Sequence, residues 1–123
     1  MEKFILTELQ DRPEGKVARL TIDNQQKLNT LNSTVIRELN ETITALDKDR
    51  DIAVLIVTGA GSKSFIGGAD ITEMAELNPS SARRFITNMH HVCQKVRYFH
   101  APVVARVNGF CLGAGMEFAA SCD

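Results

Sequence analysis

The sequence predicts an α/β fold, with strands and helices alternating along 123 residues. Three observations carry that expectation. Residues 52–59, IAVLIVTG, form a continuous apolar run ended by glycine, the pattern of a strand buried on both faces in a sheet covered by helices. Two stretches place apolar residues at three- and four-residue steps and so predict amphipathic helices: Val35, Ile36, Leu39, Ile43 and Leu46 in one, Phe85, Met89, Val92, Val96 and Phe99 in the other. Further short apolar runs flank them, giving the order strand, strand, helix, strand, helix, strand, helix, which implies a layered α/β arrangement.

Taken in order, residues 4–10 (FILTELQ) and 16–23 (KVARLTID) read as two strands. In the second, Val17, Arg19 and Thr21 alternate with Ala18, Leu20 and Ile22, and Gly15 falls in the turn before it. Residues 24–32, NQQKLNTLN, are polar and loop-like. Asn32 or Ser33 caps the first helix, which runs to about Asp47. After the apolar strand, residues 60–70 (AGSKSFIGGAD) read as a loop of small residues. A short helix over 71–77 follows; Pro79 ends it, and Ser80 or Ser81 caps the next. Residues 101–107 (APVVARV) are another strand, Asn108-Gly109 turns the chain, and a last helix starts at about Ala114. The strand-strand-helix unit is a candidate repeat that the sequence alone does not establish.

Composition narrows the function classes. A chain of this length suggests one domain at most, and 44% apolar with 24% charged residues reads as globular. A net charge of −1 without a basic block argues against a nucleic-acid partner. No apolar run approaches the ~20 residues of a membrane span. The opening MEKFILTELQ shows no basic leader followed by an apolar core, so a cytoplasmic protein is expected. Cys93, Cys111 and Cys122 have no CxxC pairing, which argues against a disulfide framework or a zinc site, and no metal constellation is expected. Cys111 lies near a glycine turn, but no base follows it at a recognisable spacing, so all three read as small buried thiols. His90-His91 and Arg83-Arg84 fall within a helix; the histidines read as solvated or core-edge residues and the arginines as a solvated face, with phosphate contact the other reading for the arginines.

Chemistry is suggested by two runs of small residues, Gly67-Gly68-Ala69 and Gly113-Ala114-Gly115. Each follows an apolar strand and leads toward a helix. The first amides of a helix have no backbone partner within it and suit an anion. Two such turns can converge on one oxyanion; equally, glycine turns after strands can do no more than close a tight bend. A dinucleotide site fits poorly, because GAGMEF lacks the last glycine of GxGxxG, and no GKS or GKT follows either run as a P-loop requires. Glu117 lies in the first turn of the last helix. There it is either a general base or a charge that complements the helix end.

At these residues the sequence resembles the crotonase superfamily of enoyl-CoA hydratases and isomerases. The likeness lies in residues 20–32 (LTIDNQQKLNTLN), 52–74 (IAVLIVTGAGSKSFIGGADITEM), 85–103 (FITNMHHVCQKVRYFHAPV) and 101–123 (APVVARVNGFCLGAGMEFAASCD), in family order. The resemblance implies a crotonase-like (ClpP/crotonase) spiral of ββα units, assembled as trimers or pairs of trimers. It implies an acyl thioester of coenzyme A as substrate, and no cofactor beyond that coenzyme A. The amides of Ala69 and Ala114 match the oxyanion-hole positions, with Gly68 and Gly113 beside them. Asp70, Ile71 and Thr72 match the segment lining the CoA site, and Lys27 and Leu28 the loop near its nucleotide end. Glu117 matches one of the two hydratase glutamates. Ala114 replaces a common glycine, and Thr72 a frequent lysine. Family domains are longer than this chain, so residues 1–123 are expected to be the N-terminal part of such a domain, with the second glutamate beyond Asp123. A part-domain of this kind is expected to expose the apolar faces of IAVLIV and MEFAA and to self-associate. Hydratase, isomerase, dehydratase and decarboxylase chemistry all use this framework, and a silent CoA-binding chain is the non-enzymatic alternative.

Overall fold

The computed structural model describes residues 3–123; Met1 and Glu2, part of the stretch read for a leader, lie outside the described residues. β1 (Ile5–Arg12) and β2 (Gly15–Ile22) form an antiparallel hairpin. Gly15 opens β2 opposite Arg12 instead of sitting in the turn, and its φ of 134° suits glycine. Along β2 the alternation holds, with Ala18, Leu20 and Ile22 buried. A short 3₁₀ turn (Gln25–Lys27) interrupts the loop that follows.

Asn32 is the cap of α1 (Ser33–Lys48); its side chain accepts from the Val35 amide at 2.8 Å. β3 (Ile52–Gly59) lies parallel to β2, and β5 (Val103–Arg106) lies parallel to β3, giving a sheet of order β1-β2-β3-β5. The helical face of this sheet is fully buried at Ile22, Leu20, Leu55, Val57 and Val103. The opposite face is not. Val54 and Ile56 of β3 are only half-buried and Val104 is exposed. The expectation of a strand covered on both faces is thus corrected for the described residues.

Two strands escaped the sequence reading. β4 (Ser64–Ile66) lies inside the supposed loop, and β6 (Phe110–Cys111) follows the Asn108-Gly109 turn. They pair in parallel as a separate small sheet. Both are too short to display an alternation, so sequence pattern gave no sign of them. The helix expected over 71–77 is a four-residue turn, α2 (Ile71–Met74). Pro79 does not end it. Pro79 opens α3 (Pro79–Arg97), where its missing N–H costs nothing, and Asn78 with Ser81 forms the capping box. Phe99 lies past the end of α3, yet is buried with its stripe. α4 (Ala114–Ser121) closes the fold, with Phe118 buried against Phe65 of β4.

With β4 and β6 counted, the order is β1-β2-α1, β3-β4-α2-α3, β5-β6-α4. The candidate strand-strand-helix repeat is therefore present three times among the described residues.

Candidate active site

The two small-residue turns lie at equivalent places, each just after a strand of the small sheet. β4 leads into Gly67-Gly68-Ala69, and β6 into Leu112-Gly113-Ala114. Parallel pairing of β4 with β6 brings the turns side by side. The Leu112 amide donates to the Ile66 carbonyl at 3.1 Å, and a Cβ built on Gly113 would lie 4.0 Å from the Gly68 Cα. Both glycines take positive φ, 122° at Gly68 and 53° at Gly113, which a side chain would resist.

Neither the Ala69 nor the Ala114 amide donates a hydrogen bond among the described residues, and the reasons differ. Ala114 is the first residue of α4, where an amide has no partner within the helix. Ala69 is not itself at a helix start; the run leads to α2, which begins at Ile71. It forms a parallel bridge with Leu31, whose amide donates to Gly68 and whose carbonyl accepts from Asp70. In such a bridge the middle residue points its own N–H away from the partner strand. The α2 helix behind it is only four residues long and adds little dipole.

The remaining site residues fall around the first turn. Asp70 is buried, and its Oδ1 caps α2 by accepting from the Thr72 and Glu73 amides at 2.9 and 3.1 Å. Its Oδ2 lies 3.6 Å from the ammonium of Lys27, which is mostly exposed. The Glu73 amide holds the Asp70 carboxyl below the usual range; burial pulls it up, and the Lys27 charge with the Thr72 amide lowers it again. Leu28 and Asn29 both adopt left-handed backbone, with φ of 55° and 54°. For leucine this costs roughly 1–2 kcal/mol. It turns the Leu28 carbonyl to accept from the Gly67 amide at 3.0 Å. Lys27 and Leu28 are thereby fixed against the first turn. Ile71 and Thr72 are exposed. Glu73, which sequence reasoning did not single out, ties α2 to α1 by accepting from the amide and hydroxyl of Ser33.

Glu117 sits one turn into α4, exposed, and its carboxylate makes no hydrogen bond or ion pair among the described residues. The three cysteines, read as small buried thiols, are half-buried. Burial pushes all three thiols up, Cys122 to about 12. A thiol so raised is a poor nucleophile at neutral pH. His90, His91 and Arg83 are exposed. Arg84 lines a separate cleft of about 550 Å³ between α1 and α3, with Arg37, Asn40 and Glu73, that includes neither turn.

The sequence profile described as enoyl-CoA hydratase/isomerase matches residues 12–123. The chain belongs to the enoyl-CoA hydratase/isomerase family. It is 44% identical to the short-chain-enoyl-CoA hydratase of Clostridium acetobutylicum over 110 residues, which are 89% of this chain and 42% of that protein. It is 40% identical to the crotonyl-CoA hydratase of Syntrophomonas wolfei over the same shares. The crystal structure of an enoyl-CoA hydratase from Mycobacterium smegmatis superposes with a TM-score of 0.90 at 28% identity, covering 99% of this chain and 46% of that one. The enoyl-CoA hydratase of Bacillus anthracis gives 0.89 at 29% identity, covering 98% and 46%. The fold is therefore crotonase-like, and the chain spans less than half the length of the relatives it matches. No described helix is long and apolar enough to cross a membrane.

Proposed function

We propose that this chain carries the oxyanion-binding half of an acyl-CoA active site, of the hydratase type. The observation that carries the reading is the pair of adjacent turns, each presenting an amide that no group among the described residues takes up. Two such donors on one thioester oxygen would stabilise the enolate that forms when water adds to, or leaves, the conjugated double bond. A donor of this kind is typically worth about 3–4 kcal/mol of barrier. Glu117 is the general base that delivers water, and its exposed, unpaired carboxylate supports that role. The loop at Lys27 and Leu28, with Gly68 and the segment Asp70–Ile71–Thr72, receives the coenzyme A portion, which arrives with the substrate, so no separate cofactor is invoked. We read residues 1–123 as the N-terminal part of a crotonase-like domain in a cytoplasmic protein, acting within a trimer or pair of trimers. The greater length of the relatives supports the part-domain reading.

One observation favours a second reading, in which this chain binds acyl-CoA without turning it over. It spans 42% of the hydratases it resembles, so groups from outside it are expected to complete the chemistry. Isomerase, dehydratase or decarboxylase chemistry on the same two amides is distinguished by product. Loss of crotonyl-CoA absorbance, measured with this chain and with Glu117→Gln, separates the readings. The hydratase reading expects turnover that falls by about 10²–10⁴ in the variant. Equal rates in both would remove Glu117 from the mechanism, and thioester binding without turnover would favour the second reading.

A further inference from the structure

Ser64, on β4, is the meeting point of a buried polar network that the proposed chemistry does not use. The Asn29 side chain is fully buried, and its Nδ2 donates to the carbonyls of Ser64 at 2.9 Å and Ala60 at 3.1 Å. Its Oδ1 accepts from the Asn24 amide at 2.8 Å. From the opposite side, Asn108 Nδ2 donates to the carbonyls of Gly59 and Gly61, each at 2.9 Å, and of Ser64 at 3.2 Å. Its Oδ1 accepts from the Gly59 amide at 3.1 Å and the Thr58 hydroxyl at 3.3 Å. The Ser64 carbonyl thus takes a donor from each asparagine. The Ser64 hydroxyl donates to the Leu28 carbonyl at 2.6 Å, with the Phe110 carbonyl at 3.4 Å.

Three segments distant in sequence are tied at one residue: the strained Leu28-Asn29 loop, the 59–64 loop, and the entry to β6. Each asparagine oxygen and both its amide hydrogens are engaged, and a side-chain amide so satisfied fixes one geometry. From this hub two short strands run to the two free amides. β4 leads to Ala69 and β6 to Ala114. Their separation is set by the register of β4 on β6, a sheet too small to hold register by its own ladder.

We propose that Asn29 and Asn108 are positioning residues that set the spacing of the Ala69 and Ala114 amides through Ser64. This role rests on the oxyanion reading for its meaning in catalysis, but its geometry can be tested without substrate. Asn29→Asp and Asn108→Asp keep side-chain shape and remove the donated bonds. In the full chain labelled with ¹⁵N-alanine, both variants should shift or broaden the Ala69 and Ala114 amide resonances and leave Ala45 of α1 and Ala82 of α3 in place. Ile43→Val, a core lesion distant from the network, should move neither turn. Ser64→Ala, which removes only the hydroxyl bond, should shift the same two resonances by less, and serves if the aspartate variants do not fold. Folded variants with unmoved Ala69 and Ala114 resonances would overturn the assignment. With a carbonyl-labelled acyl-CoA bound, the variants should lose much of the red shift of the thioester stretch. An unchanged stretch in folded variants, where the wild type shows a shift, would also overturn it. A wild type with no red shift would instead sink the oxyanion reading, and the amide resonances would still decide the positioning.

Discussion

Gly115 shows how little space separates the second turn from β4. A Cβ there would fall 2.3 Å from the Ile66 carbonyl oxygen, so α4 and β4 could not keep their distance. Gly115→Ala is expected to destabilise by about 1–3 kcal/mol, read by urea denaturation, because overpacking must displace backbone. A neutral result would mean that α4 is not seated on β4 as described. Cys122 offers a second test at this scale. Its thiol, pushed up to about 12 chiefly by burial and further by Asp123, stays protonated at pH 8. Native protein treated with iodoacetamide should therefore modify Cys122 last, and rapid labelling there would contradict its burial. At the same scale, the sequence made Gly68, Gly113 and the amides beside them visible, because small residues in a row are conspicuous. It did not reveal Asn29 or Asn108. An asparagine in a polar loop looks like any turn residue until the chain is folded and its amide is found bonded to distant backbone, fully buried at Asn29 and half-buried at Asn108.

Asp70 links two elements, capping α2 and facing Lys27 of the loop between β2 and α1. Its folded carboxyl is held down, so it is ionised in the native state over a wider range than in the unfolded chain. The stability it supplies is present above the unfolded value, about 3.9, and is lost as pH falls through the lower folded value. Asp70→Asn should flatten the acid limb of a stability-against-pH curve below about pH 4, and an unchanged limb would show that the cap carries no charge-linked stability. Asp70→Ala should cost about 0.5–2 kcal/mol at neutral pH as a lost cap. At this scale the longer elements, β1, β2, α1, β3, α3 and α4, were legible, since periodicity needs several turns or alternations to register. β4 and β6 were not, because two or three residues show no period. Their pairing is a tertiary event, set by side chains such as Asn108 and by the meeting of β4 with α4. Pro79 misled for a related reason: a proline before a helical stripe reads equally as a stop or as a first residue, and only the Asn78 cap decides.

The described residues form three strand-strand-helix units stacked so that two of their turns adjoin. The apolar exposure expected of IAVLIV and MEFAA is only partly present. Ile52, Leu55, Val57 and Phe118 are buried, whereas Met116 of MEFAA is exposed, and further exposure lies at Phe110 and Leu112 beside the second turn and at Ile71 beside the first. Clusters of this kind seek cover. Sedimentation is expected to show masses above 13.6 kDa that grow with concentration, whereas a monodisperse monomer would contradict the association. The family and fold could be read from the sequence because the paired turns stand in order, 45 positions apart, with their flanking strands. What the pairing does chemically is a matter of atomic position. A crystal structure of this chain with acetoacetyl-CoA tests it most directly: the thioester oxygen should lie ~2.7–3.1 Å from both the Ala69 and the Ala114 nitrogens. A thioester oxygen bound by only one of them, or seated away from both turns, would contradict the account.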